Sequence, residues 1–82
     1  MKLFLLSQEQ NAGYDTYDSA VVAAPDEDTA RQIDPRTGKP VENWNKKYRT
    51  WCSGPEHVVV AYLGEAAAGI EQGVVCASYN AG

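Results

Sequence analysis

Five of the seven basic residues in this 82-residue chain (Arg36, Lys39, Lys46, Lys47 and Arg49) fall in one short stretch, which also holds both tryptophans. Its core, Trp44-Asn45-Lys46-Lys47-Tyr48-Arg49-Thr50-Trp51, interleaves aromatic and cationic side chains. Arginine offers a planar fork that matches phosphate bidentately, and lysine adds a compact charge. An aromatic face accepts a stacked base, worth roughly 1–3 kcal/mol by truncation. Together these residue types point to a flat, anionic ligand. Five cations are too few to track a long phosphate backbone, so a nucleotide fits better than a duplex. Trp44 and Trp51 have a second reading as core anchors of a loop, favoured because large aromatics dominate small cores.

A second constellation is Gly13-Tyr14-Asp15-Thr16-Tyr17-Asp18-Ser19, in which Tyr and Asp recur at a spacing of three. Its phenols can stack or hydrogen-bond, and a carboxylate can accept from a ribose hydroxyl or a base edge. The competing reading is a turn whose Asp side chains bond their own backbone, and it is favoured for Asp15 and Thr16. A hard cation needs more oxygen ligands than Asp15 and Asp18 supply. Tyr79 and Asn80, directly after the last predicted strand, stand beside a site or a neighbouring subunit, or else fray as a terminus.

Other chemistries lack their residues. His57 is the single histidine, and with Cys52 and Cys76 it makes at most three zinc ligands without a paired spacing. No phosphate-cradling glycine loop, nucleophile elbow or Glu-x-x-His arrangement occurs. The sequence therefore predicts a binding protein without cofactor or metal, not an enzyme.

The elements that must position these groups are few. Leu3 to Leu6 reads as a short strand covered on both faces, and Asn11-Ala12-Gly13 as a turn. Tyr17 to Ala24 reads as a second strand stopped by Pro25. Asp26, Glu27 and Asp28 then open a short helix running to Ile33, which Pro35 ends. Pro35 to Pro55 shows no apolar period. His57 to Leu63 alternates as a strand, with Val58, Val60 and Tyr62 on one face and Val59, Ala61 and Leu63 on the other. Ala66-Ala67-Ala68 suits one helical turn, and Gly73 to Tyr79 forms the last strand. The expectation is one α+β domain over residues 1–82: a small antiparallel β-sheet with one short α-helix on one face, in the order β-β-α-loop-β-β.

With 44% hydrophobic and 22% charged residues, the chain falls in the ordinary globular class. A domain this small buries only roughly 60% of its unfolded surface. Its thin core makes a homo-oligomer with pockets between subunits a natural fit. The Leu3–Leu6 run is too short for a signal peptide or a membrane span, so a cytoplasmic location and two free thiols are expected. The net charge of −4 is unevenly distributed. Residues 1–34 carry seven acidic and two basic side chains, whereas residues 35–51 carry five basic and one acidic. The total argues against a protein that coats long nucleic acid, and the distribution leaves a compact anionic ligand open.

The stretch Asn11-Ala12-Gly13-Tyr14-Asp15-Thr16-Tyr17-Asp18-Ser19-Ala20-Val21-Val22-Ala23-Ala24 and the closing Gly73-Val74-Val75-Cys76-Ala77-Ser78-Tyr79-Asn80-Ala81-Gly82 resemble small proteins encoded by bacteriophages and prophages. The resemblance covers about a third of the chain and implies an inhibitor of host defence. Such inhibitors include proteins that sequester nucleotide immune signals and proteins that mimic DNA or block a defence complex. For the first class, Lys47 and Arg49 are expected to hold phosphate, Trp51 and Tyr14 to stack, and Asp18 to take a sugar or base edge. Arg36, Tyr48, Tyr79 and Asn80 complete the set. The alternative is an acidic protein–protein inhibitor that presents Asp15, Asp18, Asp26, Glu27, Asp28 and Asp34 to a basic groove of a host protein.

Overall fold

Alternation of apolar residues at two-residue spacing drives four segments of this chain into strands. The computed structural model describes residues 1–81. Strand β1 spans Lys2–Ser7, β2 Thr16–Ala24, β3 Val59–Glu65 and β4 Gly73–Asn80, with one short helix, α1, over Glu27–Arg31. The strands form one antiparallel sheet in the order β3-β1-β2-β4, so the fold is mostly β. Among the described residues no helix is long and apolar enough to cross a membrane.

Phe4 and Leu6 of β1 sit opposite Val22 and Ala20 of β2, and these four side chains form the buried face of the sheet. Ala30 of α1 and Ile33, Trp51, Cys52 and Val58 cover that face. α1 is held by its own chemistry. The Asp26 carboxylate accepts from the Thr29 N–H at 2.7 Å as an N-cap, and hydrogen bonds from Thr29 hold the Asp26 carboxyl below its ordinary value. Arg31 pairs with Glu27 at 3.1 Å and donates to the Val58 carbonyl, which ties the helix to the chain entering β3.

Several sequence expectations need adjustment. The β1 run is fully buried on one face only, at Phe4 and Leu6, while Leu3 and Leu5 on the other face are half-buried. Helix α1 ends at Arg31 rather than Ile33. Ile33 instead bridges Pro40, and the Asp34 and Val41 N–H groups donate to the Lys39 and Gln32 carbonyls. His57 belongs to a 3-10 turn over Pro55–His57, not to a strand. Ala66–Ala68 make no helical turn, since Gly69 adopts φ 91 and the segment closes as a simple turn. The division of Val60 and Tyr62 from Val59, Ala61 and Leu63 agrees with the register, which aligns Phe4 with Tyr62 and Leu5 with Ala61.

Candidate functional site

The irregular basic segment gains its shape from the β1–β2 connection. Gln8, buried at the end of β1, closes that connection on itself: its Nε2 donates to the Asn11 and Tyr17 carbonyls, and its Oε1 accepts from the Asn11 N–H, all at 2.8 Å. Asn11 then reaches across the molecule. Its Nδ2 donates to the carbonyls of Arg49 at 3.1 Å and Trp51 at 2.8 Å. The Tyr17 N–H donates to the Thr50 carbonyl at 2.8 Å, and the Ser53 N–H to Gln10 Oε1 at 3.0 Å. Four hydrogen bonds thus stitch residues 49–53 to residues 10–17.

The stitching brings the two constellations together. A cleft of about 430 Å³ is lined by Asn11, Tyr14, Asp15 and Thr16 on one side and by Lys47, Tyr48, Arg49 and Thr50 on the other. Tyr14 and Tyr48 are each 80% exposed, so both phenol faces are free to stack. Lys47 Nζ lies 5.4 Å from the Tyr48 ring centre. Among the described residues neither Lys47 nor Arg49 has a carboxylate within ion-pair distance. The guanidinium of Arg49 is steadied instead by the Lys46 carbonyl at 3.3 Å, and its buried Nε donates to nothing.

Asp15 occupies the left-handed region at φ 58, which Asp tolerates better than most residues. Its N–H donates to the Asn80 carbonyl and its carboxylate accepts from the Tyr79 hydroxyl at 3.1 Å, so the end of β4 braces the cleft. Partial burial, then the bond to Asp15, pushes the Tyr79 phenol above its ordinary value. Tyr79 also packs against Tyr17, with ring centres 4.8 Å apart.

Of the residues singled out in the sequence, Tyr14, Lys47, Tyr48 and Arg49 meet in this cleft, and Tyr79 and Asn80 support it from behind. Three others do not join them. Trp51 is 3% exposed and fills the core, so it offers no stacking face. Asp18 is displaced by a bulge between Tyr17 and Ser19 into a separate groove with Glu9, Gln10 and His57. Arg36 lines another groove with Lys39, Lys46 and Glu42. The carboxylate in the cleft is Asp15, and the residue the sequence reading overlooked is Asn11. A signal for Asn11 existed in its place beside the glycine turn, but its long-range role depended on a partner loop with no periodicity of its own.

Comparison of this chain with known protein families, with curated proteins and with solved structures finds no match.

Proposed function

We propose that this protein is a non-enzymatic binding protein that holds a small anionic nucleotide in the cleft between residues 11–16 and 47–50. The observation that carries this reading is the meeting of Lys47 and Arg49, free of carboxylate partners, with two exposed phenol faces across one cleft. The cations take phosphate, Tyr14 and Tyr48 take the base, and the Asp15 carboxylate accepts from sugar hydroxyls. Within the lining, Thr16 Oγ1 donates to the Gly13 carbonyl at 2.8 Å and so fixes the turn that carries Tyr14 and Asp15. The resemblance to phage-encoded inhibitors gives this binding a role, the sequestration of a nucleotide immune signal in the host cytoplasm.

The alternative of an acidic nucleic-acid mimic draws less support. Asp15, Asp26, Glu27 and Asp34 are each engaged locally by Tyr79, Thr29, Arg31 and the Arg36 N–H. Calorimetric titration with mononucleotides, cyclic dinucleotides and ADP-ribose-type compounds tests the proposal. Saturable heat, with the nucleotide recovered unchanged by chromatography, is expected. No heat with any compound sinks it.

A further inference from the structure

Two buried side-chain donors find no acceptor among the described residues, Trp51 Nε1 and Arg49 Nε. Buried N–H groups are almost always paired, so two of them side by side call for an acceptor. Both residues line one recess of about 20 Å³, with Arg36, Lys46, Asn43 and Asp34 around them. The recess adjoins the larger groove that holds Lys39 and Glu42, because Asp34, Arg36, Asn43 and Lys46 line both. Arg49 and Thr50 form the wall between the recess and the nucleotide cleft, whereas Trp51 lines the recess alone.

The chain holds these donors in place. The Thr50 and Trp51 carbonyls are pinned by the Tyr17 N–H and by Asn11 Nδ2, each at 2.8 Å. The Asp34 N–H donates to the Lys39 carbonyl at 2.8 Å, and the Arg36 N–H to Asp34 Oδ1 at 2.9 Å, which closes residues 34–39 into a tight turn. Three cations, Arg36, Lys46 and Arg49, thus border the recess against one carboxylate, Asp34. Among the described residues none of the three has a carboxylate within ion-pair distance. A recess of this volume takes one oxygen atom. A water oxygen answers the two N–H groups and leaves the three cations unanswered. An oxygen of a phosphate group answers both, because a tetrahedral anion keeps further oxygens for Arg36 and Lys46. Asp34 suits the same ligand, since its carboxylate accepts from a protonated phosphate oxygen.

We infer that the recess at Trp51 is a phosphate subsite, in which one oxygen accepts from the Trp51 and Arg49 N–H groups and the others from Arg36 and Lys46. The ligand is free phosphate, or a phosphate monoester whose body lies along the groove toward Lys39. The subsite is separate from the nucleotide cleft, and its failure leaves the reading of that cleft untouched.

Heteronuclear NMR of the nitrogen-labelled full chain reads the donors directly. The two tryptophans give two indole N–H resonances, and Trp51→Phe removes one and so assigns it. Titration with inorganic phosphate from about 0.1 mM to about 50 mM, against sodium chloride at matched ionic strength, spans weak anion binding. A saturable shift of the Trp51 indole N–H is expected with phosphate and not with chloride. Arg36→Ala and Lys46→Ala, both at exposed positions, should each weaken it about tenfold. Lys2→Ala, far from the recess in sequence and absent from its lining, should leave it unchanged. Circular dichroism verifies that the variants keep their strands. A parallel titration with glycerol phosphate separates the sources. Tighter binding than phosphate's assigns the subsite to a monoester, and equal or weaker binding assigns it to the free anion. A Trp51 resonance that stays still, or moves equally with chloride, overturns the inference. So does a shift indifferent to both Arg36→Ala and Lys46→Ala, or phosphate that moves only the Lys47 and Tyr48 amides, since the anion then sits elsewhere.

Discussion

Asn11 Nδ2 donates to the Trp51 carbonyl at 2.8 Å across forty positions of sequence. This bond, with its companion to the Arg49 carbonyl, converts an irregular segment into one wall of a cleft. Asn11→Ala removes both donors and leaves partly buried carbonyls without partners, a loss of about 1–3 kcal/mol. Urea unfolding should show the fall with the slope unchanged, and nucleotide affinity should drop with it. Asn11→Asp, which sets an acceptor against two carbonyls, should be at least as damaging.

Charge in the cleft is separable from charge elsewhere in the basic segment. Lys47→Ala and Arg49→Ala should each weaken nucleotide binding by about tenfold, roughly 1.4 kcal/mol, and flatten its salt dependence. Arg36→Ala, in its separate groove, should stay within about twofold of the parent. Titration calorimetry at two ionic strengths distinguishes these outcomes.

Trp51 and Tyr48 should behave oppositely, although both are aromatic and lie three residues apart. Trp51→Ala deletes a core side chain and should cost about 3–5 kcal/mol of stability, whereas Trp51→Phe should keep nucleotide affinity close to the parent's. Tyr48→Ala removes an exposed ring, so stability should hold while affinity falls. Thermal unfolding read beside a binding curve for each variant checks the contrast.

The N-cap of α1 makes folding depend on acid. The Asp26 carboxyl is lowered in the folded protein, so its stabilisation is present above its ordinary value near 3.8. That stabilisation is lost as pH falls through the folded value, where protonation abolishes the charged cap. Asp26→Asn retains a capping oxygen without a titrating group. Comparison of denaturant midpoints at neutral pH and near pH 3 should show a smaller acid-induced loss for Asp26→Asn than for the parent.

The two thiols should react as different species. Cys52 is buried, and burial pushes its thiol above the ordinary value, whereas Cys76 is exposed on the open sheet face. In dilute native protein a thiol reagent should modify one group promptly and the second only on unfolding. Cys76→Ser should abolish the prompt reaction.

How far these features were legible from sequence depends on whether local chemistry or a distant partner decides them. The strands β2, β3 and β4 are written in alternation and β-branched residues, and Pro25 and Asp26 mark the start of α1 in the chain itself. The premature end of that helix was not legible, because Ile33 leaves it to bridge Pro40. The cation–aromatic character of residues 44–51 was plain. Which of those side chains face outward was not, since Trp51 rather than Tyr48 joins the buried cluster that holds Phe4, Leu6 and Ile33. Asp18 and Asp15 look alike in sequence, and only the bulge between Tyr17 and Ser19 sends them to different grooves.

The strand order β3-β1-β2-β4 has a consequence for synthesis. Both central strands precede both edge strands in the chain, and the cover for their buried face, Trp51, Cys52 and Val58, follows more than twenty-five residues after β2. At a translation rate of about 5–20 residues per second, Phe4, Leu6 and Val22 have only Ala30 and Ile33 to pack against for a few seconds of synthesis. The nascent hairpin therefore waits for most of its cover, and the molecule closes only when its last strands arrive.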